Sequence, residues 1–93
     1  MIEREVMIRN RAGLHTRPAA SLVKMAAKFK SEFYIYKDEI EINGKSIIGV
    51  MTLAAECGAK LLLRFEGPDE QDALAAVVEL FDRGFDEEIG IPT

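Results

Sequence analysis

A chain of 93 residues has room for one domain, and a domain of this size buries about two thirds of its unfolded-chain surface, enough for a core without staples. Hydrophobic content of 48% with 30% charged residues reads as globular and soluble, and the net charge of −4 argues against general nucleic-acid binding. One cysteine gives no internal disulfide framework and fits a reducing, cytoplasmic setting; no apolar run approaches a membrane span, and Met1 to Glu5 carries no signal-peptide pattern.

In chain order, Glu5 to Arg9 alternates and predicts a strand over Ile2 to Arg9 with Val6 and Ile8 inward. Asn10 to Gly13 is a loop. Pro18 to about Phe29 reads as a helix whose apolar residues Ala19, Leu22, Val23, Ala26 and Phe29 recur at three-to-four spacing. Glu32 to Lys37 alternates again, with Phe33 and Ile35 on one side and Tyr34 and Tyr36 on the other. Lys37-Asp38-Glu39 is a turn, Ile40 to Ile42 a short strand, and Asn43-Gly44 a further turn signal. Ser46 reads as the N-cap of a short helix through about Ala55, stopped by Gly58. Lys60 to Phe65 predicts a strand with Leu61, Leu63 and Phe65 on one face. After Gly67-Pro68, Asp69 caps a last helix with Ala73, Leu74, Val77 and Phe81 buried, and Gly84 is its stop. Phe85 to Thr93 has no pattern and is expected to lack fixed structure. Four strands and three helices in the order strand, helix, strand, strand, helix, strand, helix predict an α+β domain of two layers.

Chemistry concentrates in Gly13-Leu14-His15-Thr16-Arg17-Pro18-Ala19-Ala20, which contains the only histidine. Pro18 suits the first turn of a helix, because its missing N–H would be an orphan there anyway. The imidazole of His15 is therefore expected above the open N–H groups of a helix N-terminus, which form an anion site. The N–H groups of Thr16 and Arg17 would form the cradle, and the Arg17 guanidinium adds a fixed cation suited to phosphate. A nucleophilic ring beside a phosphate cradle points to a phosphorylatable histidine. One histidine and one distant cysteine give no metal-ligand cluster, no serine stands in a nucleophile motif, and no cofactor is expected.

These eight residues resemble the active-site signature of HPr, the histidine-containing phosphocarrier family of the bacterial phosphoenolpyruvate-dependent phosphotransferase system. A second stretch, Asn43-Gly44-Lys45-Ser46-Ile47-Ile48-Gly49-Val50-Met51, resembles the regulatory-serine segment of that family, and the resemblance spans about Ile2 to Arg83. It implies an open-faced β-sandwich, with a four-stranded, mostly antiparallel sheet and three helices on one face. Residues 1–84 would form the carrier domain and 85–93 a C-terminal tail. It also implies a monomeric carrier, not an enzyme, that takes phosphate from enzyme I on Nδ1 of His15 and passes it to enzyme IIA domains.

On a helical wheel Arg17, Ser21, Lys24 and Lys28 form one stripe opposite the apolar face, expected to steer acidic partners. In the second helix Val50, Leu53 and Ala54 cluster toward the core, while Ile47, Ile48 and Met51 cluster toward water as a small docking patch. Together with Ala20 and Lys45, these lysines and apolar residues are the candidate partner surface. The attacking imidazole must be neutral, and both the helix terminus and Arg17 disfavour imidazolium. Phosphate on Ser46 would suit a helix N-terminus yet add about −1.5 to −2 charge beside the apolar patch. The Gly-Lys-Ser-Ile stretch resembles that of HPr proteins modified by HPr kinase/phosphorylase.

Ala54 stands where many members of that family have glycine after the leucine, which is expected to alter local packing but not chemistry. Three rival readings stand beside it: a carrier for a nitrogen-related or purely regulatory phosphotransferase system, a non-carrier regulator acting through phosphorylated Ser46, and a generic small-molecule-binding α+β module, which would leave the basic stripe and apolar patch unexplained. The second is disfavoured by His15 and Arg17, since such regulators lose the histidine.

Overall fold

The computed structural model describes residues 1–90. The chain runs β1 (Ile2–Met7), α1 (Thr16–Ala26), β2 (Glu32–Lys37), β3 (Ile40–Asn43), α2 (Ile47–Thr52), β4 (Lys60–Glu66) and α3 (Glu70–Asp82), then a single 3₁₀ turn at Gly84–Asp86. The strands form one antiparallel sheet in the order β1-β4-β2-β3. The order of elements predicts the two layers, and the strand order is that of the open-faced sandwich the resemblance implies.

Period-two alternation determines which side chains enter the core. Val6, Phe33, Ile35, Leu61, Leu63 and Phe65 are buried under the helices. In register, Phe33 faces Phe65 across β2 and β4, and their rings stack with centroids 4.4 Å apart. From the helices, Ala19, Leu22 and Ala26 of α1, Val50 of α2, and Ala73, Val77, Leu80 and Phe81 of α3 close the core. Val23, Phe29 and Leu74, expected inside, are half-buried at its margin. Tyr34 and Tyr36 lie on the open face, where the Arg64 guanidinium stacks 4.9 Å above Tyr36.

Several boundaries differ from the sequence reading. β1 ends at Met7, not Arg9, although Ile8 stays buried and exchanges backbone bonds with Gly58 and Ala59. α1 starts at Thr16, two residues before Pro18, and ends at Ala26. Tight backbone bonds from Lys28 to Met25 and from Phe29 to Ala26 carry the chain onward as a turn. α2 stops at Thr52, because Ala54 takes a left-handed φ of +48°. That turn exposes Ala54 while Leu53 and Ala55 stay buried, so Ala54 does not enter the core as expected.

Asp69 sits at the N-cap position of α3 but makes no capping bond there. Its carboxylate instead accepts from the backbone N–H groups of Lys30 and Ser31 and from the Ser31 hydroxyl. Those bonds, the Ser31 hydroxyl first, lower its pKa from 3.8 to about 2.

The largest departure is at the C-terminal end. Gly84, Phe85 and Asp86 all adopt positive φ, at +61°, +56° and +60°. The reversal tucks Phe85 into the core edge-on to Phe81. It then lays residues 87–90 alongside 9–11, with Arg11 N–H on Glu88 C=O, Gly90 N–H on Arg9 C=O, and a bridge between Asn10 and Ile89. Residues 85–90 are thus packed structure; Ile91 to Thr93 lie outside the described residues.

Candidate functional site

The loop before α1 hangs from the far end of α2. Leu14 is buried and donates its N–H to Ala55 C=O at 2.9 Å. Gly13 has φ +74°, and a Cβ there would stand 2.6 Å from the Ala55 oxygen, so only glycine fits without movement. This turn delivers His15 to the N-cap of α1, with extended backbone and its carbonyl accepting from Ala19 N–H. Pro18 falls at the third helical position. The open donors of the first turn are therefore Thr16 and Arg17, whose N–H groups meet no acceptor among the described residues.

His15 is 42% exposed and its imidazole does not cap the helix. Arg17 is 79% exposed. Both turn toward a carboxylate that no motif announced. His15 Nε2 lies 3.0 and 3.1 Å from the two Glu87 oxygens, and Arg17 Nε lies 3.5 Å from Oε2. Burial, the largest influence on Glu87, pushes its carboxyl up. Hydrogen bonds from His15 and Asn10 and the charges of His15 and Arg17 outweigh it and hold the group below the ordinary glutamate range. Together with Arg11 and Ala12, these residues line an open cleft of about 380 Å³.

The second motif lies on the neighbouring helix, since α2 packs against α1. Ser46 is its N-cap, and its hydroxyl accepts from Gly49 N–H at 3.1 Å. Ile47, Ile48 and Met51 are exposed, Ile48 at 74%. Ala20, Ser21, Lys24 and Lys28 are exposed as well, with Lys28 just beyond the helix end. Lys45 differs from expectation. Its ammonium donates to Phe29 C=O at 2.8 Å and the side chain is half-buried, so it closes the end of the α1 turn and is not a free docking cation.

Sequence reasoning missed Glu87, because an isolated acidic residue in an unpatterned segment carries no chemical signature. One signal was present: Phe85 lies four residues after Phe81 and continues the buried face of α3 past Gly84, which marks the segment as packed.

An open-faced sandwich that sets a half-exposed histidine at a helix N-terminus with open N–H groups, and an exposed arginine beside it, fits a carrier of phosphoryl groups. The family model for the phosphorylation site of the PTS HPr component matches residues 2–83. Phosphocarrier protein HPr of Treponema pallidum (strain Nichols) is 49% identical over 88 residues, 95% of this chain and 100% of that protein. The HPr-like protein Crh of Halalkalibacterium halodurans is 41% identical over 83 residues, 89% of this chain and 99% of that protein. The crystal structure of HPr-C-His from Thermoanaerobacter tengcongensis superposes with a TM-score of 0.91 at 43% identity, covering 95% of this chain and 99% of that one. The chain belongs to the HPr family and is a phosphocarrier of the phosphotransferase system.

Proposed function

We propose that this carrier accepts its phosphoryl group on His15 from phosphorylated enzyme I and hands it to enzyme IIA domains. The observation that carries this reading is the position of His15 at the N-cap of α1, next in the chain to the open N–H groups of Thr16 and Arg17. Those donors and the Arg17 guanidinium receive the phosphoryl dianion. The cradle is weak, since helix-terminus effects amount to roughly 0.3–1 kcal/mol and the cleft is open to water. A weak cradle suits a group that must leave again. The protein acts stoichiometrically, one phosphoryl per chain, and each copy builds its site from its own residues.

The docking face combines Ala20, Lys24 and Lys28 with the apolar cluster Ile47, Ile48 and Met51. The lysines attract acidic partner surfaces and the apolar residues lose water on contact. Ser46 at the rim of that cluster is the regulatory site, modified by an ATP-dependent HPr kinase/phosphorylase. No described helix is long and apolar enough to cross a membrane, and we assign the carrier to the cytoplasm, where its kinase and relay partners would meet it.

The test is intact-mass measurement after incubation with phosphoenolpyruvate and a bacterial enzyme I. The expected result is one added phosphoryl group per chain, absent when enzyme I is left out. No uptake with an active enzyme I overturns the carrier reading.

A further inference from the structure

We propose that Asn10 and Glu87 are positioning residues that hold the proton of the neutral His15 ring on Nε2 and so keep Nδ1 as the attacking atom. The inference rests on the reading of His15 as the phosphoryl acceptor and adds what sets its reactive nitrogen.

The arrangement is a chain of three side chains. Asn10 is fully buried, and its amide donates to Gly13 C=O at 2.7 Å and to Glu87 Oε1 at 3.0 Å. Both neighbours are acceptors, so the amide has one workable orientation, which leaves Asn10 Oδ1 unpartnered among the described residues. A buried polar group left in that state is costly, and it is kept where the other end of the amide holds something in place. Here it ties the loop that carries His15 to the segment that carries Glu87, 77 residues apart.

Glu87 is held ionised and only 12% exposed, and a carboxylate is an acceptor only. Its two oxygens face the same ring nitrogen of His15. That nitrogen must therefore carry the hydrogen, and in a neutral ring the lone pair falls to Nδ1.

The step balances without any proton changing place. The Nδ1 lone pair forms the N–P bond, the bond from phosphorus to the donor enzyme's leaving atom breaks, and that atom keeps the electron pair. The ring is left phosphorylated on Nδ1 and protonated on Nε2, with a positive charge that Glu87 faces at 3.0 Å. Onward transfer is the reverse, so the same carboxylate serves both directions. Arg17, 3.5 Å from Oε2, is the group that turns from Glu87 to the phosphoryl oxygens.

The single histidine makes a direct test available. In protein labelled with ¹⁵N-histidine, long-range ¹H–¹⁵N correlation at alkaline pH, about 9, reads the neutral tautomer with no phosphoryl donor present. Wild type is expected to show one tautomer, Nε2–H. Glu87→Ala is expected to show a mixture and to accept phosphate from enzyme I about tenfold more slowly. Glu87→Gln, whose amide oxygen still accepts, is expected to keep the tautomer but lose rate, because the charge is gone.

Asn10→Ala is expected to slow uptake in the wild-type background and to have little further effect in Glu87→Ala. Melting curves on each variant separate unfolding from mispositioning. An unchanged tautomer and rate in Glu87→Ala overturn the proposal. An Asn10→Ala effect of equal size with and without Glu87 removes Asn10 from it. A protein that shows the tautomer shift on Glu87→Ala yet takes up no phosphate contradicts the carrier reading instead, because the spectroscopic arm does not depend on transfer.

Discussion

The Leu14 N–H rests on the Ala55 carbonyl at 2.9 Å, so the loop that presents His15 is fixed to the segment that follows the Ser46 helix. The two halves of the candidate site, 31 positions apart, are thereby built on one seam, with Gly13 as its tightest point.

Gly13→Ala tests that seam. The new methyl would meet the Ala55 oxygen at 2.6 Å on a left-handed backbone, so the loop must shift. A loss of roughly 1–3 kcal/mol in stability is expected. Phosphoryl uptake should fall beyond what unfolding explains, because His15 moves with the loop. Denaturant titration and uptake kinetics measure the two effects separately.

Ala54→Gly should stabilise the protein. Ala54 holds φ +48° on an exposed turn, a conformation that costs an L-residue roughly 1–2 kcal/mol. Glycine removes that strain and returns part of the gain as unfolded-state entropy, leaving roughly 0.5–1 kcal/mol. Transfer kinetics should not change. A lower melting temperature would show that the Ala54 methyl contributes contacts that outweigh the strain.

Ser46→Asp should fold normally yet accept phosphate from enzyme I several-fold more slowly, since it sets charge beside exposed Ile47, Ile48 and Met51. Ser46→Ala should transfer almost normally and lose only its cap on Gly49 N–H, roughly 0.5–2 kcal/mol. Equal transfer by Ser46→Asp and wild type would reduce Ser46 to a structural cap.

The strands were legible because half-buried antiparallel strands alternate strictly, and Phe33, Ile35, Leu61, Leu63 and Phe65 were read onto the correct face. His15, Arg17 and the Ser46 cap were legible because helix starts have local chemistry. What escaped were contacts made over long sequence distances. The Asp69 carboxylate serves Ser31, 38 residues back, in place of its own helix. Lys45 reaches Phe29 C=O, and Glu87 reaches His15 across 72 positions. The reversal at Gly84 to Asp86 was hidden because Phe85 and Asp86 adopt a left-handed backbone that their side chains disfavour, and only the burial of Phe85 against Phe81 and the pairing with residues 9–11 hold it.

Asp69 gives the fold an acid-sensitive joint. Its pKa in the folded protein, about 2, lies below the ordinary 3.8, so it adds stability above pH 3.8 that is lost as pH falls toward 2. Asp69→Asn should lower the melting temperature at neutral pH by several degrees and flatten its pH dependence between those two values. Parallel curves for the two proteins across that window would show that another group governs acid unfolding.

The central claim is that phosphate resides on His15. After treatment with phosphoenolpyruvate and enzyme I, ³¹P NMR with acid and base challenge should show one phosphoramidate, labile in acid and stable in base, and His15→Ala should show none. Uptake that survives in His15→Ala, or a phosphoryl group that resists acid, would contradict the account.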